Sequence, residues 1–142
     1  MVALQALAAY AVYWKKQPIR DAVEAVAAAR AGSEALAPRV LTIGLPDNAV
    51  GFYATQFGFE AEPTGFLGDG LMSQLQPSAP SSNSQADVAA FVIVLYPDRL
   101  NAEVLRVLDA RFDRTHRFEG WADWGHGAVE VWRASDARGA AR

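Results

Sequence analysis

The sequence contains no cysteine, which excludes disulfides, thiolate nucleophiles and thiolate metal sites. That absence suits an oxidising or a reducing compartment equally well. Lysine is confined to Lys15 and Lys16 while alanine and arginine are plentiful, a compositional bias of the kind a GC-rich genome leaves. The glycines of Gly65 to Gly70, GFLGDG, are not followed by the Gly-Lys-Ser/Thr ending of a phosphate-binding loop, so they read as a surface turn. No serine stands on a sharp strand–helix turn, and neither HxH nor HxxxH spacing occurs. Sixteen acidic against thirteen basic groups give a formal charge of −3, which offers no electrostatic reason for a nucleic-acid partner. No cofactor, no metal and no catalytic residue is expected on this chain.

What is present is enough for one folded domain. At 142 residues with 51% hydrophobic side chains, the chain can bury a substantial core. Its organising stretch is Arg39 to Phe59, RVLTIGLPDNAVGFYATQFGF. Val40, Leu41 and Ile43 read as a buried strand, and Gly44-Leu45-Pro46 as a break. A helix then follows, capped by Asp47 or Asn48 and stopped by Gly58. Strand, turn and helix make half of a βαβ unit. A second, stronger strand is Val88 to Tyr96, VAAFVIVLY, apolar on both faces as in a covered parallel sheet. Pro97 ends it, and Asp98 is positioned to cap a helix over Arg99 to Arg111, with Leu100, Val104, Val107 and Leu108 along one stripe.

The remaining elements follow the same logic. Pro18 to Ala31 reads as a helix with Ile19, Val23, Val26 and Ala27 on one face. Two further strands, about Phe112 to Phe118 and Ala128 to Ala134, form a C-terminal hairpin joined by the aromatic stretch EGWADWGHG. Trp121, Trp124 and Trp132 are expected to pack that hairpin onto the core. His116 and His126 read as surface or loop histidines. Gln74 to Asp87, rich in proline, serine and amides, is expected to be a mobile loop within the domain. The fold class is therefore α/β, a small three-layer Rossmann-like sheet with a C-terminal β-hairpin. It occupies residues 17–134, with a disordered tail over 135–142. In open α/β sheets ligands bind beyond the carboxyl ends of the strands. That rule points to Gly44, Asp47 and Asn48 after the first strand, and to Tyr96, Asp98 and Arg99 after the second.

Residues 1–16 form an apolar lead-in with three readings. Met1 to Trp14 is too short to span a bilayer, which takes about 20 residues. It suits a buried first helix, the end of a transmembrane helix, or a signal sequence with Ala9-Tyr10-Ala11 as its cleavage site. The Tyr13-Trp14-Lys15-Lys16 border has the aromatic and lysine chemistry of a membrane–water interface.

Two resemblances add to this. The first rests on the apolar run with aromatics, a helix opening at P-I-R-D-A, the strand V-L-T-I-G and the helix with F-Y-A. It continues through F-V-I-V-L, F-D-R-T-H-R-F-E-G and A-V-E-V-W-R. From about Tyr10 to Arg133 the chain resembles the soluble C-terminal domain of bacterial membrane glycosyltransferases of the dolichyl-phosphate-mannose mannosyltransferase type. That resemblance implies a membrane-associated domain on the extracytoplasmic, periplasmic side, partnered by the membrane-embedded part of a transferase that uses a polyprenyl-phosphate sugar donor. The family's catalytic acids lie in that membrane part, so none maps onto this chain. The second rests on P-D-N-A-V-G-F-Y-A-T-Q-F-G-F, which is similar to the helix motif of the glyoxalase/dioxygenase (vicinal oxygen chelate) group. It implies a metal-dependent enzyme or small-molecule binding protein with Glu130, and His126 beside it, as metal ligands.

Overall fold

The computed structural model describes residues 18–31, 38–44, 48–65, 69–75, 89–122 and 125–135. The lead-in Met1 to Trp14, Asp47, Trp124, residues 76–87 of the expected loop and residues 136–142 lie outside the described residues. So do the side chains of Asn48, Trp121 and His126.

The chain forms helix α1 (Ile19–Ala31), strand β1 (Val40–Ile43), helix α2 (Asn48–Gln56), strand β2 (Ala61–Thr64) and helix α3 (Asp69–Leu75). Strand β3 (Phe91–Leu95), a 3-10 turn (Pro97–Arg99) and helix α4 (Ala102–Arg111) follow. The chain then runs through β4 (Phe112–Phe118), the short pair β5 (Trp121–Ala122) and β6 (Gly125–His126), and finally β7 (Val129–Ala134). Five strands make one mixed sheet in the order β2-β1-β3-β7-β4. β1 is parallel to both β2 and β3, and β7 is antiparallel to β3 and β4. The fold is a three-layer α/β sandwich with the C-terminal hairpin β4–β7 completing the sheet.

The layers follow from side-chain alternation on the strands. Val40, Phe91, Ile93, Leu95, Val129 and Val131 pack with α1 and α2 on one face. Leu41, Ile43, Val92, Val94 and Trp132 pack with α3 and α4 on the other. Each fully buried Val, Leu or Ile contributes about 1.5–3 kcal/mol of hydrophobic stabilisation. β1 and β3 have no exposed residue, which is why their sequences are continuous apolar runs without alternation. The crossover β1–α2–β2 moves toward one edge over the first face. β2–α3–β3 and β3–α4–β4 move the other way over the second, so all three share one hand, as crossover chirality requires.

Helix ends have identifiable causes. α2 closes in a Schellman turn, with Phe59 N–H donating to Ala54 C=O at 3.0 Å and Gly58 N–H to Thr55 C=O at 3.1 Å. Gly58 takes φ 76°, as expected of the stop residue. The cap of α4 differs from expectation. Asn101, not Asp98, accepts from Val104 N–H at 2.8 Å, and the helix begins at Ala102. Asp98 instead lies within the 3-10 turn that Pro97 initiates.

Three other expectations are corrected. The turn-rich stretch after Phe59 contains β2, a parallel edge strand held by its ladder with β1 in spite of Pro63. The stretch meant to be loop from Gln74 begins inside α3, whose Leu71 and Leu75 are buried one helical turn apart beneath α4. The strong strand is shorter than its apolar run, starting at Phe91. Among the described residues no helix is long and apolar enough to cross a membrane.

Candidate functional site

The carboxyl ends of β1 and β3 lie side by side, with Ile43 opposite Val94. The connections leaving them run to opposite sides of the sheet, so a topological switch point sits between them. Gly44 and Tyr96 are the first residues beyond the two strands. The structure thus brings Gly44, Tyr96, Asp98 and Arg99 to one end of the sheet. α2 starts from that same end at Asn48.

Gly44 is there because nothing larger fits. A Cβ at this position would stand 2.7 Å from the Leu95 Cβ, and the residue's φ is +154°. Its N–H donates to Thr64 C=O at 3.2 Å, which ties the turn to β2. Tyr96 is unusual in a different way. It adopts a left-handed conformation, φ 55° and ψ 60°, a geometry that costs a non-glycine residue about 1–2 kcal/mol. Its N–H donates to Ala128 C=O at 3.2 Å, and its carbonyl accepts from Arg99 N–H at 2.9 Å. The Arg99 guanidinium stands 5.3 Å from the Tyr96 ring centroid, within cation–π range. Two residues before Gly44, Thr42 is buried on the α1/α2 side. Its hydroxyl has no hydrogen-bond partner among the described residues.

Beside this end of the sheet lies a charged cluster that no spacing in the sequence assembles. Glu130 is only 2% exposed, on the α3/α4 face of β7. Its Oε1 accepts from Arg114 Nη1 at 2.9 Å and from Arg117 Nη1 at 2.8 Å, and its Oε2 accepts from the Trp132 indole N–H at 3.0 Å. Arg117 also donates to Glu119 at 2.6 Å and lies 3.9 Å from Asp98. Hydrogen bonds to Glu119 and then to Glu130 push the Arg117 guanidinium above its ordinary range, against a smaller effect of burial. Arg114 stands 5.8 Å from the Trp132 ring centroid.

A bulge makes this cluster possible. Residues three apart in a regular strand point to opposite faces. In β4 the register slips between Arg114 and His116, so Arg114 pairs with Trp132 and Arg117 with Glu130. Both arginines therefore reach the same carboxylate, and Thr115 Oγ1 donates to Val131 C=O at 3.1 Å at the slip.

No family model, curated protein or solved structure matches this chain. The chemistry of the site is therefore read from its residues. Glu130 accepts three hydrogen bonds from protein donors, the arrangement of a structural anion. Among the described residues no group of three or more His, Cys, Asp and Glu side chains converges as a metal site. His116 is exposed and stacks on Phe118 at 5.6 Å between centroids, with Nδ1 3.1 Å from Thr115 Oγ1. Trp132 packs into the core as expected of the hairpin. The sheet end itself offers a tyrosine ring, the Arg99 guanidinium and a close-approach glycine. Such a set suits binding a polar or ringed group; among the described residues it holds no nucleophile paired with a base.

Proposed function

We propose that this chain is a non-catalytic accessory domain on the extracytoplasmic side of a bacterial membrane. It would serve a membrane-bound glycosyltransferase that draws on a polyprenyl-phosphate sugar donor. The observation that carries the reading is the wiring of Glu130. The one carboxylate buried in the described core is bound by Arg114, Arg117 and Trp132, an arrangement that favours architecture over chemistry. The succession of sequence fragments from P-I-R-D-A to A-V-E-V-W-R supports the particular family, and the aromatic and lysine border at Tyr13 to Lys16 supports membrane attachment.

Location and chemistry are tested separately. A C-terminal alkaline phosphatase fusion in bacterial cells should be active, because that reporter folds only outside the cytoplasm, and the chain should remain with membranes on alkaline extraction. Activity confined to a cytoplasmic reporter would overturn the location. In calorimetry, zinc, nickel, manganese and iron should give no tight binding to the purified chain. Micromolar or tighter binding that Glu130→Ala abolishes would replace this reading with a metal-dependent enzyme of the glyoxalase/dioxygenase type, with Glu130 and His126 as candidate ligands. Membranes depleted of the chain should lose sugar transfer from the polyprenyl-phosphate donor while still making that donor.

A further inference from the structure

Gly51 lies inside helix α2 with no positive φ, and a Cβ there would meet nothing within 4 Å. Alanine would fit and is the better helix former, so the fold itself has no need of this glycine. It leaves a notch on the outer face of the helix. Next to the notch stands a knob. Phe52 is 60% exposed, the most exposed large apolar side chain among the described residues. Its ring meets Tyr53 edge-on at 5.3 Å between centroids, and Tyr53 packs at the margin of the α1/α2 core. Phe57, one helical turn after Tyr53, donates its N–H to Tyr53 C=O at 3.1 Å and is also exposed. The Thr55 hydroxyl donates to Gly51 C=O at 2.9 Å, which turns its polar atom back onto the helix. From Asn48 to Phe59 the chain carries no charged side chain, whereas the solvent side of a surface helix is ordinarily charged.

We infer that this face of α2 binds the same face of a second copy of the chain about a two-fold axis. Knob and notch are neighbours on one helix, so an antiparallel copy seats each Phe52 over the other's Gly51. That is the self-complementary match a two-fold contact requires. Antiparallel helices also set each positive end beside the partner's negative one. Two copies with a formal charge of −3 repel, and an uncharged face is where they meet at least cost. The exposed Glu60 side chains then fall at opposite ends of the contact, where salt screens them from each other. An anionic lipid surface fits worse, because the patch offers no lysine or arginine and Glu60 borders it. Phe52 and Phe57 leave roughly 200 Å² of surface in water, taking about 200 Å² for a whole phenylalanine. A stable interface takes about 800 Å² from each partner. Even with Gly51, Thr55 and Gln56 the patch falls short of that. The association is therefore weak, half complete at a concentration on the order of 100 μM.

Sedimentation velocity on the full chain, from about 10 μM to about 1 mM, should show a reversible shift from monomer to dimer. Gly51→Leu fills the notch and Phe52→Ser removes the knob, and each should weaken the dimer about tenfold or more. Urea unfolding at low concentration separates loss of contact from loss of fold. Gly51→Leu should hold or raise the midpoint, because leucine is the better helix former and has open space around it. If Phe52→Ser unfolds, Gly51→Leu alone decides. No dimer at the highest concentration overturns the inference. So does association that both folded variants leave unchanged, which would assign it to another surface. Co-sedimentation with phosphatidylglycerol vesicles that Phe52→Ser lowers, with self-association unaltered, would give the face to lipid instead.

Discussion

Replacing Glu130 by glutamine should destabilise the domain by about 2–3 kcal/mol, an amount worked from its three partners. The substitution keeps one carbonyl acceptor and removes the charge. Glutamine's amide nitrogen then faces either a guanidinium or the indole N–H, donor against donor. Hydrogen bonds to a charged group contribute about 1.5–3 kcal/mol each, and breaking a buried ion pair from one side costs about 3–5 kcal/mol. Two features reduce that total. The Arg114 and Arg117 side chains are 51% and 36% exposed, so both can return to water when their partner is lost. Removing a buried anion also recovers part of its desolvation cost. Urea unfolding with an unchanged m-value would measure the loss, and the melting temperature should fall by roughly 3 °C per kcal/mol. A double-mutant cycle with Arg117→Met should give a coupling of about 1–2 kcal/mol, because each partner loses much of its role once the other is absent. A change below about 0.5 kcal/mol, or a gain in stability, would refute the reasoning. It would mean that the carboxylate is held at a cost, as groups retained for chemistry are.

The other predictions concern single positions. Gly44→Ala should cost about 2–4 kcal/mol in urea unfolding through overlap with the Leu95 Cβ, and adding Leu95→Ala should not restore stability, because alanine keeps that Cβ. Asn101→Ala should cost about 1 kcal/mol as the lost cap of α4, whereas Asp98→Ala should leave helix stability within about 0.5 kcal/mol. The Glu62 carboxyl is held below its ordinary value, chiefly by hydrogen bonds from Arg39 at 2.9 and 2.7 Å. Its folded value lies below its unfolded one, so its stabilisation is present above the unfolded value of about 4.5 and lost as pH falls through the folded one. Because the Glu62 side chain is half exposed and screened by water, Glu62→Gln should cost under about 1 kcal/mol near neutral pH. Nothing should separate variant from parent in strong acid; an equal difference in unfolding midpoint at both pH values would count against the pairing.

Most of the frame was legible because burial imposes a pattern. β1 and β3 are covered on both faces, so their residues are apolar without interruption. α1 and α4 are covered on one face, so theirs recur at helical spacing. β2 escaped because its two central residues, Glu62 and Pro63, are exposed at a sheet edge and leave no apolar alternation; the ladder with β1 makes it a strand. α3 was hidden between glycines and a proline–serine run, although Leu71 and Leu75 at i and i+4 were a usable signal. Gly44, Tyr96, Asp98 and Arg99 could be placed at one sheet end by a rule of topology. The Glu130 cluster could not be, since Arg114 and Arg117 share a face only through the β4 bulge, and no spacing in the sequence announces a bulge. The cap of α4 was missed because an aspartate after a proline looked sufficient. Pro97 instead started a 3-10 turn and left the role to Asn101.

The two margins of the sheet have a consequence for how this chain can associate. A bare strand margin is a template for another chain's strand. Among the described residues β2 is four residues long, and its proline removes a donor where an incoming strand would need one. β4 at the opposite margin is longer, but it alternates Asp113, Arg114, His116 and Arg117 and is distorted by its bulge. Neither margin invites continuation of the sheet, so runaway fibre growth and strand-swapped dimers are disfavoured even at the high local concentration of a crowded surface. Growth in that direction is blocked by the chain's own chemistry, which leaves the helical faces and the two sheet ends as the places where another molecule can settle.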